Sequence, residues 1–440
     1  MDMSEYLDAV TEQIRCKRVR NMVATELRNH IEDQQEAYIA TGMDKSQAEK
    51  EAVRQMGDAI TVGMELDRIH RPRLDKKTLI LMAVISLLGI IMQGTVFRLW
   101  RLDSALSGDV TDVVFQVLLG VAIMCGILFA DYTFIGKYPF ALWFGMLLIY
   151  ILTIADFGSP FGNVFSYHYF MQRLCILCLF GIMLPAYVGL IYHYRKKGWK
   201  GLLLSLGWLL LGSFLAHRAS GRLLYCLVAF LSCFLLLTYA IAKGWFSIPK
   251  RKGLTVIWGS LLGSIICFCA VIFQENGYRS ARLKALFENG KFILWRSEPL
   301  SPDRDYISIH IRNSLNNIHI FGKNTSLPDM PKEGALSFFL LINEYGSIVG
   351  ILMTAVLLLL FFFMLQGILR QKNILGKLLG IACLLGMLLP SVVHIFSNLS
   401  MLVYSDMYLP FFYPGYVTNA SCYGLIGIYL SVYRYTDVVA

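Results

Sequence analysis

An all-α, polytopic membrane fold follows from two observations. The chain is 56% apolar and only 16% charged over 440 residues, where a soluble chain carries about 25% charged residues. Its apolar residues also gather into runs of the length a bilayer demands, about 20 residues rising about 1.5 Å each across a core of about 30 Å. The expected spans are 78–97, 112–130, 138–155, 173–192, 200–216, 223–242, 254–273, 336–367, 378–402 and 413–433, about ten transmembrane helices. The shortest, 200–216, runs straight into the polar His217-Arg218-Ala219-Ser220; it crosses alone or forms a helical hairpin with 223–242. A small helical domain, 1–72, precedes the transmembrane domain, 73–440.

Within 1–72, Val19, Met22, Val23, Leu27, Ile31 and Tyr38 share one face of a helix over Arg18–Ile39. Gly42 ends it. Asp44 with Gln47 three residues on is a capping-box start for a second helix carrying Ala48, Ala52 and Met56. Gly57-Asp58 stops that helix and starts a third through Val62, Leu66 and Ile69, closed by Pro72, with Lys76-Lys77 at the membrane boundary. The run Glu26-Leu27, His30-Ile31-Glu32-Asp33, Ala48-Glu49, Ala52-Val53 and Met56-Gly57-Asp58 resembles the HAAS-like permease prefix domain that precedes membrane proteins of Gram-positive bacteria. The resemblance implies a docking module for a cytosolic partner. His30, Glu32 and Asp33 lack a second His or a Cys, so they read as a solvated face and not as metal ligands. The segment is polar throughout, and the first span is expected to act as a signal anchor.

Basic residues resist translocation and so orient the spans. They crowd the loops at Arg71–Lys77, Lys137, Arg195–Lys200, Lys243–Lys252 and Arg370–Lys377, and Arg434, against Arg98, Arg101, Arg173, Arg218 and Arg222 on the alternate loops. Both termini are therefore expected to be cytoplasmic. The net charge of +10 is a topology signal that also attracts anionic lipid. It forms no extended patch for a nucleic acid. Nine of the ten cysteines lie in spans, so no disulfide framework is expected. Cys175-Ile-Leu-Cys178 has no His or acidic company and reads as packing.

The outer loop 274–335 carries an amphipathic repeat, Ile307, Ile311, Leu315 and Ile318, with Arg312, Asn313, Asn316 and Asn317 between. Such a helix lies at the interface, roofs a cavity, or packs as a plain loop helix.

Several short motifs recur in a set order. They are Tyr278-Arg279 with Arg282-Leu283; Asp305-Tyr306, Ser314-Leu315 and Phe321-Gly322-Lys323; Leu327-Pro328-Asp329; Asn343-Glu344-Tyr345-Gly346; and Leu409-Pro410-Phe411-Phe412-Tyr413-Pro414-Gly415. Order and spacing resemble the SEDS family (FtsW, RodA, SpoVE), multispan glycosyltransferases that polymerise lipid-linked peptidoglycan precursor. The resemblance implies a cell-membrane protein of cell-wall assembly in division or shape, with a lipid-linked disaccharide as substrate and a single-span transpeptidase as partner. It also points to Arg279, Arg282 and Lys323 for substrate binding, while Arg218 and Arg222, on the outer face, bind pyrophosphate or merely anchor to lipid headgroups.

Polymerisation requires a sugar hydroxyl to attack an anomeric carbon as pyrophosphate leaves. A carboxylate takes the proton, and basic groups or a divalent metal steady the leaving group. The family's acidic position, eleven residues before the glycine corresponding to Gly346, holds Ala335 here. The family's Gln-Pro-Ser-Glu falls on Gln172-Arg173-Leu174-Cys175, and its Gln-Pro-Asp-Leu-Gly-Thr on His217-Arg218-Ala219-Ser220-Gly221-Arg222. Three readings stay open. Glu333 or Asp329 serves as a displaced base; the chain is a non-catalytic relative that binds precursor or partner proteins; or it is a lipid-linked precursor permease. No resident cofactor is expected, apart from a divalent metal if the chain is active. His394, inside a span, is either functional or satisfied by Ser397, Asn398 and Ser400.

Overall fold

The computed structural model describes residues 1–100, 110–155, 174–220, 222–274, 306–324, 336–402 and 405–436. The described residues are helical with no strand, and they fall into two compact units.

The first unit is built on α1 (Met3–Gln13), α2 (Lys17–Ala40), α3 (Lys45–Gln55) and α4 (Ala59–His70). Side-chain caps set the helix starts, because the first N–H groups of a helix have no intrahelical acceptor. Asp2 accepts from Glu5 N–H at 2.7 Å while Asp2 N–H donates to the Glu5 carboxylate at 3.2 Å. Asp44 accepts from Ser46 N–H at 3.1 Å and Asp58 from Thr61 N–H at 2.9 Å. Gly42 and Gly57 take φ of +96° and +86° at the turns. The three expected helices are present. The first, α1, was not expected, although the Asp2/Glu5 box and Tyr6, Val10 and Ile14 at four-residue spacing mark it. Those three residues join Val19, Val23, Ile31 and Ala52 in a core, each large apolar side chain contributing about 1.5–3 kcal/mol before chain entropy. His30, Glu32 and Asp33 are exposed on α2.

The same unit takes in the connector Gly367–Lys377 and the chain from Val432. Gln371, 3% exposed, donates from Nε2 to the Val432 carbonyl at 3.0 Å. Arg73 N–H donates to the Arg434 carbonyl at 3.2 Å. Tyr435 packs on the core of α1–α4.

The second unit is an all-α bundle of membrane-spanning type. Its helices are α5 (Lys76–Trp100), α6 (Val110–Phe129), the short α7 (Thr133–Lys137), α8 (Pro139–Ala155), α9 (Leu174–His193), α10 (Gly198–Ser220), α11 (Leu223–Ala242), α12 (Lys250–Gln274), α13 (Tyr306–Leu315), α14 (Ser337–Tyr345), α15 (Ser347–Arg370), α16 (Ile374–Asn398) and α17 (Tyr416–Arg434). Seven of the described helices, α5, α6, α9, α10, α11, α15 and α16, are long and apolar enough to cross a bilayer. The other expected spans fall on α8, α12 and α17, and 200–216 forms one continuous helix, α10. Central α9 is buried along nearly its whole length and contacts α7, α8, α10 and α11. A π-helical turn at Cys178–Ile182 interrupts it. At the rim, α10 and α15 turn Leu203, Leu210, Phe214, Ile351, Leu358 and Phe362 outward. Such exposed apolar stripes suit lipid, and helices meet the bilayer's demand that backbone groups be paired internally.

The expected span 336–367 is instead two helices, α14 and α15, broken at Gly346. That residue takes φ +93° and ψ 168°, a region open in practice only to glycine. A Cβ there would also collide with the backbone of Ile320 and Phe321. The polar turn after α13 presses on this joint: Ser347 N–H donates to the His319 carbonyl at 3.1 Å and Ile348 N–H to Ile320 at 3.3 Å.

Candidate functional site

Side-chain bonds draw one group of helix ends together, the site end. Asn398 of α16 meets Phe339 of α14. Arg222 and Tyr225 at the start of α11 meet Asp406 in the segment that leads to Tyr416 of α17, and Arg222 N–H donates to Ser220 at the end of α10. The non-helical segment Ser405–Gly415 lies buried there, with Met407, Tyr408 and Leu409 fully shielded. Non-helical backbone within a bundle leaves carbonyls and N–H groups to be paired by side chains. Four helices supply them. Gln93 of α5 donates to the Phe411 carbonyl at 2.7 Å. Tyr225 of α11 donates to the Asp406 carbonyl. From α16, His394 bonds the Met407 carbonyl through Nδ1 at 2.6 Å, and Ser397 accepts from Ser405 N–H at 2.8 Å. Gln116 of α6 accepts from Gly415 N–H at 3.0 Å and from the Asn419 amide at 3.3 Å. Phe411 is held at φ +67°, an uncommon conformation for a bulky residue, with its ring 5.1 Å from that of Tyr423.

The tautomer of His394 follows from its partner. A carbonyl only accepts, so Nδ1 carries the proton and Nε2 is left as an acceptor. Among the described residues, Nε2, Gln93 Oε1 and Ser337 Oγ are buried without a hydrogen-bond partner. Of the partners expected for His394, Asn398 donates to its carbonyl at 3.0 Å, not to its ring. The other Asn398 amide atom, Oδ1, accepts from Phe339 N–H at 3.1 Å, so a residue of α16 caps the start of α14.

A second chain of amides joins α13, the polar turn and α14. Asn343, fully buried, donates to the Phe339 carbonyl at 2.8 Å and accepts from Asn324 at 3.2 Å. Asn324 also donates to the Ser314 carbonyl at 3.1 Å. The expected amphipathic helix is α13: Ile311 is buried against Leu336 and Phe339, which makes it a packed loop helix on α14. Ile320 and Phe321 are exposed at the tip of the turn.

The expected binding residues fare differently. Lys323 pairs with Glu344 at 3.0 Å. Arg222, at the start of α11, forms an ion pair with Asp406, and its guanidinium lies 5.4 Å from the Tyr225 ring centre. Arg218 is exposed on the last turn of α10. Arg279, Arg282, Asp329, Glu333 and Ala335 lie outside the described residues. Sequence reasoning missed Gln93, Gln116, Tyr225 and Asp406. The glutamines carried a usable signal, since an amide inside an apolar span is costly and needs a partner. Cys175 and Cys178 are buried free thiols. Among the described residues no three His, Cys, Asp or Glu side chains come together as metal ligands.

No family model matches the chain, and no curated protein matches its sequence. Among solved structures, a chain of a peptidoglycan synthase complex, described for its structural coordination of polymerization and crosslinking, is similar at a TM-score of 0.58 and 16% identity. The match covers 82% of this chain and 98% of that one. At that identity the likeness is one of fold: an all-α polytopic membrane bundle.

Proposed function

We propose that this chain is a SEDS-type membrane protein of peptidoglycan assembly that engages lipid-linked precursor at the site end. The observation that carries the reading is the fold likeness to the synthase-complex chain, which spans nearly all of that chain. Two of the motif stretches add support. Asn343–Gly346 and Leu409–Gly415 are distant in sequence, yet Phe339, four residues before the first, and Met407, two residues before the second, each bond a side chain of α16. With both termini cytoplasmic, as the basic loops argue, the site end faces outward, where cell wall is made. The origin is a Gram-positive bacterium, and a single-span transpeptidase is the membrane partner. The prefix domain, 1–72, is a docking module for a cytosolic partner.

Ala335 favours a second reading, in which the chain binds precursor or partner proteins without polymerising it. Purified full-length protein in nanodiscs, given fluorescent lipid-linked disaccharide alone and with a candidate transpeptidase, separates the two. Glycan product that disappears in Glu333→Gln or Asp329→Asn supports a displaced base. Retained binding without product supports the non-polymerising reading. Neither binding nor product refutes engagement of the precursor.

A further inference from the structure

Resting on the reading of the site end as a place for a lipid-linked diphosphate, we propose that Asp406 is a built-in competitor for that diphosphate. Its carboxylate occupies the position on Arg222 that a substrate phosphate takes, so binding requires the Asp406 side chain to swing away.

Three features of the pair support this. First, it bridges two elements, with Arg222 at the α10–α11 corner and Asp406 in the buried segment 405–415. Second, both side chains are partly open, 32% and 40% exposed, so an anion can reach Arg222 without unfolding the segment. An ion pair this exposed is weak and exchangeable. Third, the backbone of Asp406 is held separately. Tyr225 donates to its carbonyl and Ser405 Oγ accepts from the next N–H, that of Met407, at 3.1 Å. The carboxylate can therefore leave Arg222 while the segment stays in place.

A diphosphate outcompetes a carboxylate when a second cation is at hand, because it offers more charge and more acceptor oxygens. In the proposal that role falls to Arg218, exposed on the last turn of α10 and four residues earlier in the chain. The guanidinium of Arg222 is steadied by the Tyr225 ring, which fixes its place with or without Asp406. The device belongs to this chain's own residues, since Arg222 stands where the family resemblance has threonine.

The test is binding of farnesyl diphosphate, with farnesyl monophosphate as the control, to the full chain in zwitterionic nanodiscs. Asp406→Asn is expected to tighten diphosphate binding about fivefold, the upper end for release of an exposed pair. Arg222→Gln and Arg218→Gln are each expected to weaken it about tenfold, as loss of one charge-assisted contact does. The monophosphate should bind more weakly and respond less to Arg218→Gln. Gly207→Ala, in the middle of α10 with open space around its added Cβ, keeps the ion pair and should leave affinity unchanged. Unchanged or weaker binding in Asp406→Asn, or the same gain in Gly207→Ala, overturns the proposal. Tighter diphosphate binding in Asp406→Asn by a protein that ignores lipid-linked disaccharide would sustain the competitor and sink the proposed function. Precursor binding with no response to Asp406→Asn would do the reverse.

Discussion

Replacing Gly346 by alanine tests how the site end is assembled. Alanine at φ +93° and ψ 168° is strained by about 1–3 kcal/mol. Its Cβ would also meet backbone atoms of Ile320 and Phe321, which cannot rotate aside as a side chain can. Relief means pushing the turn off the α14–α15 joint, at the expense of the Ser347-to-His319 and Ile348-to-Ile320 hydrogen bonds, about 0.5–1.5 kcal/mol each. The expected loss is about 2–5 kcal/mol, read by denaturant titration in mixed micelles. Hydrogen exchange at 319–323 should rise with it. Gly207→Ala in α10 is the control: its added Cβ meets nothing within 4 Å, so a gain of up to about 1 kcal/mol is expected from helix propensity. If Gly346→Ala stays within about 0.5 kcal/mol of the parent, or loses stability while exchange at 319–323 is unchanged, the argument that this turn locks the joint is wrong.

Other outcomes follow from single contacts. Gln93→Leu orphans the buried Phe411 carbonyl and should cost about 1–3 kcal/mol, with exchange rising in 409–413 and little change in α13. Tyr435→Ala should loosen the first unit by about 2–4 kcal/mol for lost aromatic burial, visible as faster proteolysis within α1–α4. The Asp58 carboxyl is held below its ordinary 3.8, first by Thr61 N–H and then by the Thr61 hydroxyl. Its cap therefore stabilises the folded domain above that value, and the benefit fades as pH falls through the lowered one. Asp58→Ala should flatten the acid limb of the domain's stability profile; an unaltered limb would show that the cap contributes nothing.

How much of this was legible depended on whether a local rule decided the outcome. The starts of α3 and α4 were readable because Asp44 and Asp58 act on N–H groups two or three residues away. The spans were readable because their length is set by the bilayer. The break at Gly346 was not, since the pressure on that glycine comes from Ile320 and Phe321. An apolar run without that turn would have continued as one helix. The same holds for the buried segment 405–415. Its two prolines and its glycine announced a turn, but its anchors come from Gln93, Gln116, Tyr225 and His394, hundreds of residues away for the first two. Lys323 and Arg222 stood out as free cations in sequence, yet each has a carboxylate partner, Glu344 and Asp406, that spacing could not assign.

The altered motif positions bear on which proposed reading holds. A polar side chain inside a bundle must be paired, so a change at one position usually forces a change beside it. Cys175 stands where the family resemblance has a glutamate, and its thiol donates to the Thr153 hydroxyl at 3.4 Å. Ser220, in the other altered motif, lies 3.5 Å from the Cys226 thiol and accepts from Arg222 N–H at 3.3 Å. At Cys175 a weakly polar pair thus stands where a carboxylate would need a cation or a ligand. A carboxylate restored at Cys175 alone would be buried against the Thr153 hydroxyl, a strongly destabilising arrangement unless a charge meets it. The surroundings of Cys175 are thus fitted to a neutral side chain. That neutral fit favours the non-polymerising reading over a displaced base at Glu333 or Asp329, because the polymerising one lacks the carboxylate that the resemblance implies at Cys175 as well as the one at Ala335.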